Sequence, residues 1–514
     1  MGSPMDLADP FYGYSTLLNV LIYVGLPLLG VLQFFRLRRA LHVFQLEGYK
    51  RANFLRWTRA HPNRARWKSS APAKKPLAMT GRAWRSLVLS ILLSVLGVFG
   101  AWATAHLLLG GWPADVIAYL VAMGLILFFS SHVLVLADWI LSPVQKVIND
   151  RYARRARKKL DEARPLVIGV TGSYGKTSTK FAIEKLLAPE GEVLATPGSY
   201  NTTLGVVRTV NENFRDTHRY FVVEMGAKQR GDIAEIVEFA RPHIAVLTAI
   251  GPAHLESFVS LDNVRRAKYE IVAGLAPDGV AVMNTDNPDV RALAEETQRV
   301  KIIRYGLEAE GGPHVSARDI EITPDGTSFT IVDTRTNQMV HARTSLLGRH
   351  SIGNLLGAVA VAIEAGRSLS ELVGPIRRLT AVEHRLQIIK GAGGVTVIDD
   401  AFNSNPDGAA AALEVVAAMD TSPKIVVTPG MIELGPLQAE ANERFGAQAG
   451  RVADTLIVVA RLNRDAIVAG ATGGGRAQVI TVDTLAAAQE AMKPLMTPGA
   501  VVLFENDLPD QYEG

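Results

Sequence analysis

The stretch that most narrows the possible folds is Pro165–Lys180, PLVIGVTGSYGKTSTK: an apolar run, a glycine turn and a hydroxyl-rich helix start. Leu166, Val167, Ile168 and Val170 read as a strand buried on both faces, the pattern of a parallel sheet covered by helices. Gly172 and Gly175 permit a tight turn whose N–H groups point inward, and the helix that follows adds its positive end. Lys176 brings a cation to the same place, Thr177 offers a hydroxyl that can ligand a nucleotide's magnesium ion, and Ser173 and Ser178 flank them. The expectation is a polyphosphate cradle. The strict motif GxxxxGK[ST] needs glycine where this chain has Val170, so only the short form TGxxGKT remains. A chance glycine turn between a core strand and a helix is the plain alternative; the lysine, the hydroxyl and the preceding strand weigh against it.

With 514 residues the chain has room for several domains. Cysteine is absent, which excludes disulfides, thiolate metal sites and cysteine nucleophiles and fits a reducing compartment. The net charge of +4 hides a division: residues 1–164 hold 22 basic and 8 acidic side chains, a balance of +14, and the remainder carries −10. The two parts face different surroundings.

Three uncharged apolar stretches precede the cradle, at about 17–35, 87–109 and 116–136, each near the roughly 20 residues that cross a bilayer as helix. They are expected to form a three-helix transmembrane region within residues 1–150. Arg36 to Arg85 carries fourteen basic residues against Glu47 alone, and Arg151 to Lys159 is also basic, whereas Gly110 to Asp115 has no Lys or Arg. By the positive-inside rule the N-terminus lies outside, and the basic loop 36–85 and everything after the third span lie in the cytoplasm, where ATP is available. Trp57, Trp67 and Trp84 interleave the basic loop in the manner of a nucleic-acid patch, but its place between two spans favours anionic headgroups, and no nucleic-acid partner is expected. Asp138 is expected at the membrane interface rather than in a proton relay.

From Pro165 apolar strands alternate with amphipathic helices, as in a doubly wound α/β domain. Tyr220–Glu224, Ile244–Ile250 and Val280–Asn284 read as strands, Asp232–Ala240 and Leu261–Leu275 as helices, and Ser316–Leu347 as hairpins turning at Pro324-Asp325-Gly326. A helix Ser351–Ala365 follows. A second α/β unit begins near Gln387, with strands Val395–Asp399, Lys424–Thr428, Leu456–Ala460 and Val501–Phe504 and a helix Ala409–Met419. It has no glycine loop of its own.

Acid, imidazole and amine then recur where an open α/β sheet places ligands, at the carboxyl ends of strands. Glu224 ends FVVEMGA, His254 follows IAVLTAIGP, and Lys268 lies in RRAKYEI. Taken singly, these are a capping acid, a loop histidine and a solvated lysine. In order, however, TGSYGKTSTK, SYNTTLGV, VVEMGA, AHLESF, RAKYEI, LLGRHSIGN, EHRLQ, DDAFNSNP and GMIELG resemble the Mur ligase family from about Pro165 to the C-terminus, and most closely its branch that adds D-Ala-D-Ala to a UDP-muramoyl tripeptide.

That resemblance implies a Mur-type P-loop ATPase domain with a mostly parallel sheet over 165–385 and a Rossmann-like C-terminal domain over 386–514. It also implies amide-bond formation through an acyl phosphate, with ATP and Mg2+, two ions in the family. Carried over, Lys176 contacts the β- and γ-phosphates, Thr177 and Glu224 ligand one magnesium, His254 a second, and Lys268 becomes a carbamate that assists the metal. Asn354 matches the adenine-side asparagine, Arg385 a phosphate-contacting arginine and Asp400 a ribose-binding acid. Asn201, Thr202 and Thr203 match the carboxylate-donor loop, and Asn403 and Asn405 the motif near the incoming amine. Gly172, Ser173, Gly175 and Ser178 belong to the nucleotide loop. The family's UDP-holding N-terminal domain has no counterpart in residues 1–164, Val207 stands at a usual proline, and Pro429-Gly430-Met431 replaces GDM. The donor is therefore expected to be a muropeptide or a lipid-linked precursor met at the membrane, and the acceptor an amino acid or dipeptide. A ligase for another polymer, such as poly-γ-glutamate, is the first alternative. A non-catalytic nucleotide-binding membrane scaffold is the second, and it would have no use for the lysine and metal constellation.

Overall fold

The computed structural model describes residues 24–62, 76–109, 114–198, 200–307, 312–323, 326–402 and 404–508. They divide into two compact units that meet in sequence between Asp150 and Arg151.

The first unit is helical. Its helices are Leu26–Leu46, Arg51–Ala60, Gly81–Leu109 and Ala114–Phe128, followed by the start of Ser130–Ala163. A small core of Leu37, Leu41, Phe44, Phe54, Leu87 and Leu134 holds it together. Polar groups lie inside as well: Gln33 donates to Ser94 Oγ at 3.1 Å and accepts from Ser130 Oγ at 3.1 Å, while Asp138 accepts from Arg51 Nε and Arg82 Nη2, each at 2.8 Å. Large apolar side chains such as Leu92, Leu96, Phe99, Leu120, Phe128 and Trp139 face outward.

Of the three expected spans, Gly81–Leu109 alone is one helix long and apolar enough to cross a membrane among the described residues. The third is not a single straight helix over 116–136. Ala114–Phe128 and Ser130–Ala163 meet at 77°, and only as a bent pair do they pass the same test. Ser130 turns its hydroxyl onto Leu127 O at 2.6 Å, taking a carbonyl from the helical ladder at the bend. The first span begins in residues 17–23, outside the described residues, and its described helix carries Arg36, Arg38 and Arg39.

The second unit has two sheets. The larger comprises β1 (Leu166–Thr171), β2 (Glu192–Ala195), β3 (His218–Glu224), β4 (Ile244–Leu247), β5 (Val280–Asn284), β6 (Lys301–Gly306), β7 (Val315–Thr323), β8 (Gly326–Asp333) and β9 (Gln338–Thr344), in the order β2-β3-β1-β4-β5-β6-β7-β8-β9. Strands β2 to β7 pair in parallel and β7 to β9 are antiparallel hairpins, as the period-two pattern predicts; Pro324 and Asp325 lie outside the described residues. β1 sits between β3 and β4, and its side chains alternate between two cores. Val167 packs with Phe221, Val237 and Ile271 on one face, and Ile168 with Ile183, Leu186, Leu355 and Val359 on the other.

The smaller sheet comprises β10 (Gln387–Lys390), β11 (Thr396–Asp400), β12 (Lys424–Thr428), β13 (Thr455–Val459), β14 (Gln478–Val482) and β15 (Val501–Glu505), ordered β10-β11-β15-β12-β13-β14, all parallel except β10 against β11. β6 and β14 escape the sequence reading: Lys301 and Arg304 interrupt the apolar run of one, and the other is a half-exposed edge with no clean alternation.

Ile168 is fully buried in the central strand. Ile168→Ala is expected to cost about 3 kcal/mol, the usual transfer-plus-cavity penalty, seen as a lowered midpoint in a denaturant titration.

Candidate active site

The cradle forms where β1 ends. Gly175 caps the helix Lys176–Leu187 with φ +78°, and a Cβ there would stand 2.2 Å from Asn354 Oδ1; at Gly172, φ +154°, a Cβ would meet Thr248 Oγ1 at 2.0 Å. Both glycines are required by backbone conformation and by close approach. Ser173 donates to Gly251 O at 3.0 Å, fastening the loop to the segment after β4. Lys176 folds back onto the loop, its Nζ donating to Gly172 O at 2.6 Å and Ser173 O at 3.0 Å, and burial pushes its ammonium down to about 8.

Glu224, at the carboxyl end of β3, is the buried anion of the site. Its Oε2 accepts from Thr177 Oγ1 at 3.0 Å and Lys180 Nζ at 3.1 Å, and its Oε1 from Asn201 Nδ2 at 3.1 Å. Burial alone would raise this carboxyl; the charges of Lys180 and Lys176 and the bonds from Lys180 and Asn201 outweigh it and hold the pKa below the usual range. Lys180 also donates to Thr196 O and Gly198 O, at 2.8 and 2.7 Å. Sequence reasoning did not single it out. The available signal was a lysine one helical turn after Lys176, on the face that must pack against β3.

Thr177 and Glu224 bring a hydroxyl and a carboxylate together, hard oxygen donors that fit Mg2+. Among the described residues no group of three His, Asp or Glu side chains is placed to hold a metal. His254 is turned elsewhere: it sits at φ +55° before the short helix Leu255–Phe258, and its Nδ1 is in close contact with Glu433 Oε2. Burial would raise the Glu433 carboxyl, but the bond and charge of His254 outweigh it and hold it low. Lys268, on the helix Leu261–Ala273, is buried; desolvation, with the charge of Lys176 nearby, keeps its ammonium well below the ordinary lysine range.

Beside the cradle opens a small cleft lined by Ser178, Asn354 and Arg385 and by the apolar Leu346, Leu379 and Leu386. An apolar slot with a few polar groups next to a phosphate loop suits a nucleobase. Arg385 lies over the Phe402 ring at 4.6 Å and stands between two residues in the left-handed region, His384 at φ +59° and Leu386 at +44°. Each such conformation costs a non-glycine residue about 1 kcal/mol, so the turn needs tethers. His384 Nδ1 bonds Asp399 Oδ2 at 2.7 Å, Phe402 N–H donates to His384 O at 3.3 Å, and Leu386 N–H donates to Asp400 Oδ1 at 3.1 Å. Asp400 is therefore a buried support of the Arg385 turn.

Thr202 caps the helix Thr203–Asn213 through Gly205 N–H, so Asn201, Thr202 and Thr203 form one helix start beside Glu224. Asn405 likewise caps Pro406–Ala417, and Asn403 lies outside the described residues.

A nucleotide loop on a parallel sheet, a second Rossmann-like sheet and a buried carboxylate–lysine centre define an ATP-dependent ligase that forms C–N bonds. Residues 170–362 match the Mur ligase middle domain and residues 384–505 the Mur ligase glutamate ligase domain. The chain is 34% identical over 364 residues to the UDP-N-acetylmuramoyl-tripeptide–D-alanyl-D-alanine ligase of Mycobacterium tuberculosis, a match covering 66% of this chain and 70% of that one. It is 35% identical to the Escherichia coli enzyme of that name over 283 residues, 55% of this chain and 62% of the other. Among solved structures, MurF from Acinetobacter baumannii superposes with a TM-score of 0.63 at 27% identity, covering 71% of this chain and 78% of that chain. MurF from Thermotoga maritima in complex with ADP gives 0.63 at 25% identity, covering 70% and 80%. The chain belongs to the Mur ligase family, and it is a MurF-like ATP-dependent ligase of peptidoglycan synthesis.

Glu224's depressed pKa stabilises the fold fully above the unfolded carboxylate value of about 4.3, and that stabilisation is lost as pH falls through the lower native value. Lys180→Met, which leaves Glu224 buried without its nearest counter-charge, is expected to cost about 3 kcal/mol at pH 7. In Glu224→Gln part of the acid dependence of the melting temperature below about pH 4 should disappear. Calorimetry across pH tests both.

Proposed function

We propose that this ligase activates the carboxylate of a muramoyl-peptide donor as an acyl phosphate and joins it to the amine of a D-Ala-D-Ala-like dipeptide. The observation that carries this reading is the grouping of Lys176, Thr177, Glu224 and the buried Lys268 beside a cleft lined by Ser178, Asn354 and Arg385. Lys176, together with the helix start behind it, receives the ATP phosphates once it exchanges the loop carbonyls for phosphate oxygens. Asn354 and Ser178 face the base and Arg385 the phosphates. A carboxylate and a triphosphate repel each other, and this set of cations offsets the repulsion. The helix start at Asn201, Thr202 and Thr203 would orient the donor, and the segment holding Asn403 and Asn405 the amine. Asp400, committed to Leu386 N–H, supports the pocket from beneath rather than holding ribose.

Mg2+ bound by Thr177 and Glu224 would neutralise phosphate charge and polarise the transferred group. Lys268 is read as the carbamate-forming lysine: burial favours a neutral amine, the form that adds to carbon dioxide, and the resulting anion would answer the charge of Lys176. With Glu433 on its Nδ1, His254 would offer Nε2 to a second ion.

The first unit is read as a membrane anchor with cytoplasmic catalytic domains. Its support is inversion: Gln33, Ser86, Ser90, Ser94, Asp115 and Asp138 are buried, while Leu107, Leu108 and Leu109 are 82, 77 and 70% exposed. Water would penalise that arrangement and hydrocarbon would favour it. A three-span topology, N-terminus outside, remains part of the reading, and a donor delivered at the membrane surface, lipid-linked or UDP-linked, follows from it.

ADP and phosphate release that depends on both a muramoyl-tripeptide donor and D-Ala-D-Ala checks the reaction; release with neither substrate, or with other carboxylates alone, would sink it. Lys268→Ala is expected to lower kcat by 10²-fold or more, on the order of a missing electrostatic group, with ADP affinity within about threefold of the parent. A carbonate extraction of cell membranes should leave the full chain in the pellet; its appearance in the supernatant would remove the anchor.

A further inference from the structure

The turn that presents Arg385 is held by Asp400, and Asp400 is in turn held by a residue at the far end of the chain. β11 and β15 run side by side in parallel, and their last residues, Asp400 and Glu505, are register partners. Both carboxyls are buried side by side at the ends of adjacent strands. Ser404 Oγ donates to Glu505 Oε1 at 2.6 Å, and Glu505 Oε2 is buried without a hydrogen-bond partner of its own. Asn506, at φ +68°, closes the arrangement: its N–H donates to Asp400 O at 3.2 Å, its Nδ2 to Gly430 O at 2.6 Å, and its Oδ1 accepts from Ser404 N–H at 3.2 Å. Two ionised carboxylates held side by side in a site closed to water would repel, and a proton on one of them relieves that.

We infer that Glu505 is a positioning residue for nucleotide binding: as the protonated member of the pair it donates to Asp400, which keeps Asp400 oriented to accept Leu386 N–H and so fixes Arg385 in the nucleotide cavity. The charges facing the pair agree with this division. Arg385 favours ionised Asp400, Asp399 on the same strand opposes it, and Glu505, the more deeply buried of the two, feels burial and the charge of Asp400 together, which raise its pKa well above the ordinary range. Glu505 does not line the cavity; it acts through Asp400 and Leu386. A raised carboxyl pKa sets the sign: the arrangement is present below the native pKa of Glu505 and is lost as pH rises through it.

This inference rests on Arg385 contacting the nucleotide. The test measures Mg·ADP affinity of the full-length protein in detergent from pH 7 to 10 by calorimetry. Glutamine at 505 can donate an N–H to Asp400 at every pH, so Glu505→Gln should bind ADP within about threefold of the parent at pH 7, while Glu505→Ala weakens it by about tenfold, the worth of one lost buried bond. Lys176 titrates on the alkaline side in both proteins, so the readout is the ratio of their affinities: Glu505→Gln should gain on the parent as pH rises and the parent's Glu505 loses its proton. In an Arg385→Ala background the difference between Gln and Ala at 505 should fall below twofold. A pH-independent ratio overturns the inference, as does an undiminished Glu505→Ala loss without Arg385; if Glu505→Ala does not fold, the Glu505→Gln profile decides alone. Unchanged ADP affinity in Arg385→Ala by itself removes the underlying role of Arg385, an outcome distinct from a flat ratio.

Discussion

One buried carboxylate organises the catalytic end of the larger sheet. Glu224 has no water to neutralise it, so three segments must supply donors: Thr177 and Lys180 from the helix after the glycine turn, and Asn201 from the start of the next. The turn, both helix starts and the end of β3 thereby take fixed positions around one anion. The same geometry gives the site its chemistry. A carboxylate held ionised by lysines is an oxygen ligand in any usable pH range, and it neighbours a lysine, Lys268, that burial drives the other way. Burial lowers the Lys268 pKa, while for Glu224 the charges of Lys180 and Lys176 outweigh burial and lower it as well.

Legibility in the sequence followed how local each signal was. The buried strand β1, its glycines and Lys176-Thr177 were readable because strand period, left-handed turn and helix start are all encoded within sixteen residues. The hairpins β7 to β9 were readable from alternation alone. Lys180 was not, since only the approach of β3 distinguishes it from a solvated helix lysine. Nor was the partnership of Asp400 with Glu505, which joins positions 105 residues apart through strand order. The bend at Ser130 escaped for another reason: hydropathy counts apolar residues and is blind to a hydroxyl that takes a backbone carbonyl.

His254 meets an acidic partner that its own motif does not reveal. Its place after β4 agrees with the expectation, yet its imidazole meets Glu433, from the GMIELG segment before the helix Gln438–Val452. Gly435 comes close to Glu256 in the same region, so the segment after β12 rests against the short helix after His254. A ring nitrogen engaged by a carboxylate is an oriented one, and such an outer partner fixes which nitrogen faces a metal. Glu433 is therefore as much a part of the second-metal question as His254.

The first unit mixes two patterns. Leu37, Leu41, Phe44, Phe54, Leu87 and Leu134 form a buried core, yet Gln33, Ser94 and Ser130 also satisfy one another inside while Leu92, Leu96, Phe99 and Phe128 face out. Inside hydrocarbon that inversion is the stable arrangement, because apolar surface gains nothing by hiding and a polar group must find its partner within the protein. Asp138 obeys the same rule at the end of the apolar region: a lone carboxylate there would be costly, and Arg51 and Arg82 both reach it. The arginines that satisfy it belong to the basic segment 36–85, so two of its fourteen basic residues serve the unit's own folding.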